Sequence, residues 1–382
     1  MLTREDTKRL KGIAILWMLI HHLYSFKERM PYGMELSSSV QVSGIDVIQI
    51  LGLFGKICVP MFMFLGGYGL YASRVQEKTN LSGKKSSLSA KVIKLYMVYW
   101  KIFLVFIPIG IVFFSKQSQY CDDIIWNVFG DHSWKQTISD FVGLTSVYNR
   151  EWWFLRTYVF ALFEGYIFLE VFKNTRNMYL ELISVVIWYV FVLFICPGIM
   201  ALPNFESMAG NVFVQNIFHI DGYAIPFFVG IIFKKYEIFT SWEEFVGKLT
   251  NIEKMMVSVI VLAIAAYVRV FLVDMQLDIL MTPIVIMATV LILRCFPILE
   301  RISAFLGKHS TNMWLTHSFF CYYFYPFVKV VYGSGNSLIA LLVLTLLALG
   351  SSIAINFLWK YIRIMYEKMH IFLLYREKEG VK

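Results

Sequence analysis

Lys11 and His22 stand eleven residues apart in the stretch Arg9-Leu10-Lys11-Gly12-Ile13-Ala14-Ile15-Leu16-Trp17-Met18-Leu19-Ile20-His21-His22, where everything between them except His21 is apolar or glycine. In a helix that spacing turns through about 1100°, leaving the two side chains about 20° out of line and about 16 Å apart along the axis. The ammonium suits the neutralising of a phosphate. The imidazole titrates near neutrality and suits moving a proton to or from a reacting hydroxyl. On the residues alone, His21 and His22 fit interhelical hydrogen bonding equally well.

Other candidates follow along the chain. Lys91 and Lys94 are one helical turn apart and face the same way. They could hold the phosphates of a nucleotide-like donor, touch anionic lipid heads, or simply mark a cytoplasmic surface. Glu151, Trp152 and Trp153 follow Asn149-Arg150 and mix charge with indole. That mixture suits a sugar acceptor, and an interfacial anchor explains it equally. Arg156 and Glu164, two turns apart, lie in one apolar block, and Asp221, Arg269 with Asp274, and His317 in others. Ionisable groups in hydrocarbon cost several kcal/mol, so each is a functional candidate, with membership of a pairing network as the plainer reading.

The elements that must position these residues are membrane helices. Of 382 residues, 58% are hydrophobic and 16% charged, with a mean hydropathy of +0.63; a soluble domain is about 45–50% apolar and about 25% charged. Measured against the roughly 20 apolar residues needed to span a bilayer, the blocks predict an all-α integral membrane protein of about ten transmembrane helices. They run over residues 10–26, 47–72, 92–114, 152–172, 179–199, 212–233, 255–273, 279–293, 311–332 and 337–361. Together they form a single transmembrane domain over residues 1–382, with 362–382 as a basic tail. Counted on that scheme, 25 Lys and Arg fall on one side and five on the other, which puts both termini in the cytoplasm and the protein in the cell membrane as a multi-pass chain. The same distribution accounts for the net charge of +9 and argues against nucleic acid as a partner. The first block carries two histidines and no small-residue cleavage pattern follows it, so it is expected to stay as helix 1. The five cysteines are scattered without zinc or disulfide spacing, no Ser/His/Asp array is visible, and no metal is expected.

Five segments in order resemble the acyltransferase 3 family of membrane O-acyltransferases, over roughly residues 8–360: KGIAILWMLIHH, FGKICVPMFMFLGGYGLYAS, EWWFL, GYAIPFFVGIIF and LGKHSTNMWLTHSFF. The resemblance makes Lys11 and His22 the family's opening pair and His21 the structural neighbour. It implies acyl transfer, usually of acetyl, from cytoplasmic acyl-CoA to a hydroxyl of an envelope or exported glycan, with no permanently bound cofactor. On that reading His22 is the general base or a transient acyl carrier. Lys11, Lys91 and Lys94 face the donor, and Glu151, Trp152 and Trp153 face the acceptor. His21, Arg156, Glu164 and His317 form the supporting buried polar set. The expected partners are acyl-CoA, a glycan or lipid-linked glycan, and membrane lipid. This chain departs from the family in having Lys11, Lys91 and Lys94 where arginines are usual; lysine keeps the charge and loses the bidentate fork. No esterase-like domain follows the last helix, so this chain or a separate partner is expected to complete transfer. A transporter, flippase or polymerase of lipid-linked glycan would share the topology and the buried charges, although no inverted repeat is visible.

Overall fold

The computed structural model describes residues 2–31, 33–38, 40–79, 87–116, 127–130, 133–195, 198–199, 201–202, 212–272 and 277–379, the side chains of 77–79, 212–221 and 371–379 excepted. The described residues are almost entirely helical. Their one sheet is an antiparallel pair of two-residue strands, Gln41–Val42 and Ile45–Asp46, joined through Ser43 and Gly44, both at positive φ.

Helix α1 (Arg4–Tyr24) opens on a capping box in which the Thr3 side chain accepts from the Asp6 amide and Asp6 reaches back to Thr3. Arg9 bonds Asp6 at 3.2 Å and Glu300 at 2.9 Å, while Arg294 reaches Asp6 at 3.3 Å and Glu243 at 2.8 Å. Burial opposes the Asp6 charge, but the Thr3 hydrogen bonds and the Arg294 guanidinium hold its carboxyl below the usual carboxylate value. The foot of α1 is therefore fastened directly to two other helices, through Glu300 and Arg294, before the helix enters the apolar body.

The chain continues through α2 (Val47–Gly55), α3 (Cys58–Thr79), α4 (Leu88–Phe114), the short α5 (Trp134–Phe141) and α6 (Trp153–Val171). Next come α7 (Met178–Val190), α8 (Val212–Lys235), the short α9 (Ile238–Val246), α10 (Asn251–Tyr267) and α11 (Asp278–Cys295). The last three are α12 (Pro297–Ser318), α13 (Tyr325–Tyr332) and α14 (Ser337–Glu379). Helices α7, α10 and α12 each end in a five-residue π turn, over Phe191–Ile195, Val268–Leu272 and Phe319–Tyr323.

Among the described residues, six stretches are long and apolar enough to cross a membrane: Val47–Gln76, Leu88–Phe114, Met178–Ile195, Asn251–Leu272, Asp278–Cys295 and Ser337–His370. Their exposed faces are apolar, as on α10, where Ile252, Met256, Val259, Ile260 and Ile264 are all exposed; such surfaces suit lipid. Helices α1, α6, α8 and α12 stand where the other four spans were expected, and α1, α6 and α12 carry the polar residues described below.

Three boundaries differ from the sequence reading. The block 47–72 breaks at Lys56-Ile57 into α2 and α3. The block 311–332 belongs to a helix that starts at Pro297 and breaks again at Phe324. The last helix does not stop at residue 361: residues 362–379, within the basic tail read from the sequence, continue α14, and no glycine or proline interrupts that stretch. Arg269 is held by Asp278, bidentate at 2.9 Å for both bonds, and donates to the Leu53 carbonyl at 2.8 Å, so α10, α11 and α2 are joined in the interior. Asp274, the partner expected from sequence, and the Asp221 side chain lie outside the described residues.

Small residues set the closest approaches, as in other membrane interiors. A Cβ on Gly12 of α1 would collide with the Ser303 carbonyl of α12, and one on Gly307 with the Lys8 carbonyl. The α3–α8 pair is built the same way, Gly67 against the Phe227 carbonyl and Gly230 against the Phe64 carbonyl. Gly67→Val and Gly307→Val, which must push touching backbones apart, are each expected to cost about 1–3 kcal/mol and to lower the unfolding midpoint of the purified protein by several degrees. Gly350→Ala on α14, with nothing within 4 Å of the added carbon, should leave the midpoint in place. Unchanged midpoints for both valine variants would contradict the close packing.

Candidate functional site

One cavity of about 560 Å³ is lined by α1, the α2–α3 break, the start of α6, Tyr223 of α8 and the middle of α12. Lys11 and His22 both line it, so the stripe expected from their spacing is present. Beyond His22 the lining continues to Phe26 and Arg29, and across to Arg150, Glu151, Trp153 and Arg156. Donor and acceptor candidates from opposite ends of the sequence reading thus share one space with the histidine between them.

His21 and His22 have different surroundings. The His21 ring is buried, with Nδ1 at 2.9 Å from the Gly52 carbonyl and 2.8 Å from Ser25 Oγ. Gly52 makes this possible, because a Cβ there would sit 2.6 Å from the Ser25 nitrogen. His21 thereby ties α1 to α2, although its edge also reaches the cavity. His22 is half-buried, and its ring centroid lies 4.8 Å from that of His317 and 5.8 Å from that of Tyr322. The Tyr322 hydroxyl donates to the His22 backbone carbonyl, so toward His22 Nδ1, 3.4 Å away, its oxygen can only accept. That favours the tautomer with hydrogen on Nδ1 and a free lone pair on Nε2, the form a general base requires.

His317 is fully buried on α12. Its Nδ1 donates to the Trp314 carbonyl at 2.7 Å, and Nε2 has no hydrogen-bond partner among the described residues. The π turn that follows, Phe319–Tyr323, aims two adjacent tyrosines at two different site residues, Tyr322 at His22 and Tyr323 at Glu151. Such turns often mark functional positions.

Glu151 sits in a 3-10 turn, Arg150–Trp152, capped by the buried Asn149 side chain. Its carboxylate accepts from Arg29 at 3.2 Å and from the Tyr323 hydroxyl at 2.8 Å. Arg29 also lies over the Phe26 ring at 4.2 Å. Trp153 faces the cavity beside Tyr223, with ring centroids 5.0 Å apart. Trp152 does not line it. Its indole N–H donates to the Leu315 carbonyl at 2.9 Å, and the ring packs edge-on to Tyr99 at 4.9 Å. Trp152 therefore fixes the turn to α12 and α4.

The lysines are likewise divided. Lys11 lines the cavity, and Lys94 is near enough for its charge to be felt there. Lys91 reaches the other way, donating to Ser73 Oγ at 2.9 Å and joining α4 to α3. Arg156 lines the cavity and donates to the Leu144 carbonyl, whereas Glu164 is half-buried on α6 away from the lining.

Sequence reasoning passed over Lys56, Arg29, Tyr322 and Tyr323 as site residues, and noted Arg150 only as part of the charged and aromatic run around Glu151. Lys56 had a readable signal, a lone cation inside an apolar block. The tyrosine pair had none, since their placement depends on the π turn. No group of three or more His, Cys, Asp or Glu among the described residues is placed to hold a metal ion.

A family model for the acyltransferase domain of the acyltransferase 3 group matches residues 8–357. The chain belongs to that family and is a membrane acyltransferase. No curated protein and no solved structure matches it.

Loss of the Tyr322 hydroxyl removes, besides its bond to the His22 backbone carbonyl, the contact that holds the ring at Nδ1, worth about 0.5–1.5 kcal/mol. Tyr322→Phe should therefore lower kcat by roughly two- to tenfold at unchanged membrane level, while Trp152→Phe should lower the amount of folded protein instead. Steady-state rates normalised to folded protein separate the two, and an unchanged kcat for Tyr322→Phe would contradict its hold on His22.

Proposed function

We propose that the protein is an O-acyltransferase that moves an acyl group, acetyl by family precedent, from cytoplasmic acyl-CoA to a hydroxyl of an envelope or exported polysaccharide. On this reading all ten long blocks cross the cell membrane and both termini are cytoplasmic. The observation that carries it is the single cavity shared by Lys11, His22, Glu151 and Trp153.

The chemistry follows from that order. Lys11, with Lys94 nearby, neutralises donor phosphates at one end, and the thioester extends along the stripe towards His22. Trp153 offers an aromatic face to the acceptor sugar. His22 Nε2 takes the proton from the acceptor hydroxyl as its oxygen attacks the thioester carbon. The tetrahedral intermediate collapses with loss of the C–S bond, and the imidazolium returns the proton to the thiolate, leaving an ester and coenzyme A thiol. The Nδ1–H contact with Tyr322 holds the ring while its charge changes. Removal of bulk water from the cavity keeps the thioester from hydrolysis.

General base catalysis contributes typically 10²–10⁴-fold. His22→Gln should thus lower ester formation by at least about 100-fold at normal membrane level, measured as base-labile O-acetate on surface glycan of cells lacking the native gene. Full activity of His22→Gln would remove His22 from the mechanism and with it the reading.

A further inference from the structure

The charge of the cavity is mismatched to a neutral acceptor. Five Lys and Arg side chains line it and one carboxylate, Glu151. That carboxylate is already engaged by Arg29 and Tyr323. No carboxylate makes an ion pair with Lys56, Arg150 or Arg156 among the described residues. The Lys56 ammonium lies 5.7 Å from the Tyr223 ring centroid, and Arg156 donates to a backbone carbonyl. Asp140 acts on Arg156 from a distance, but its own carboxylate is taken by Gln136, Thr145 and the Tyr148 amide.

Cations in these places are disfavoured. Membrane-depth charges cost several kcal/mol, and only five Lys and Arg fall on the non-cytoplasmic connections of the ten-helix scheme. Two of those five, Arg29 and Arg150, line this cavity, as do Lys56 and Arg156 from within the spans. Lys11 and Lys94 serve the donor end, so the others need a different anion. Two of them stand with the acceptor aromatics: Trp153 and Arg156 are three residues apart on one face of α6, and Tyr223 bridges Trp153 to Lys56; Arg150, exposed and three residues before Trp153, lines the same cavity.

We propose that the acceptor is anionic, a glycan whose phosphate or carboxylate is held by Lys56, Arg150 and Arg156 beside Trp153 while its hydroxyl meets His22. The proposal rests on the transfer reading above. Arginine forks fit both oxyanions bidentately, and Glu151, tied to Arg29, is left to fix the mouth and not to grip the sugar.

The test uses membranes carrying the full-length protein or its His22→Ala variant, with [14C]acetyl-CoA or [14C]succinyl-CoA. The acceptors are total envelope glycan separated into an organic-soluble lipid-phosphate fraction, a water-soluble acidic fraction and a neutral fraction. His22-dependent label is expected in an anionic fraction: the lipid-phosphate one if the anion is the carrier's phosphate, the acidic one if it belongs to the polymer. With that fraction as acceptor, Arg150→Gln and Arg156→Gln should each raise KM about tenfold, which corresponds to about 1.4 kcal/mol, and Arg150→Lys should recover some of the loss. Label in the neutral fraction overturns the proposal and leaves acyl transfer standing. Neutral-fraction label from succinyl-CoA alone overturns it too, and assigns the cations to the acyl group. Unchanged KM in both glutamine variants also overturns it. Absence of His22-dependent label in every fraction defeats the transfer reading itself.

Discussion

Gly12 and Gly307 let the backbones of α1 and α12 touch, and the site depends on that contact. Without it His22, on α1, would not reach His317 and Tyr322, which the C-terminal end of α12 supplies. The contact is closed at the foot by the Arg9–Glu300 ion pair, which joins the same two elements at 2.9 Å. A small-residue approach is the natural means in a membrane. Apolar side chains gain little there from leaving lipid for protein, so packing and hydrogen bonds must hold the helices together.

Around that pair the polar groups divide into those that hold the fold and those that face the cavity. Arg269 with Asp278, His21 with Gly52 and Ser25, and Trp152 with Leu315 are satisfied within the protein. They act as fasteners between helices. Lys11, His22, Lys56, Arg150 and Arg156 instead line the open space. Low dielectric strengthens whatever these groups bind and penalises leaving them empty, which on the proposed mechanism is met by substrate lying against them.

Much of the helical plan was legible in the sequence, because block length and the 3.6-residue period are local properties. The Lys11–His22 stripe was legible for the same reason, lying within one helix. What the sequence could not supply were choices made by a distant partner. Trp152 and Trp153 are neighbours of one residue type, and only the position of α12 decides that the first is scaffold and the second faces the cavity. Lys91 and Lys94 looked equivalent, yet Ser73 on α3 takes the first away. The paired roles of Tyr322 and Tyr323 require a π turn, and the break at Lys56-Ile57 interrupts an apolar block without proline. Each of these is a matter of tertiary packing overriding local pattern.

In the proposed mechanism one cavity joins, at His22, a donor and an acceptor arriving from opposite faces. Proteoliposomes with the protein in a single orientation test this directly, with acetyl-CoA sealed on the Lys11 side and acceptor glycan supplied on the Arg150 side. Ester is expected on the acceptor side while coenzyme A thiol accumulates on the donor side, and acetyl-CoA supplied only on the acceptor side should support no transfer. Ester formed only when both substrates share one side would contradict the mechanism.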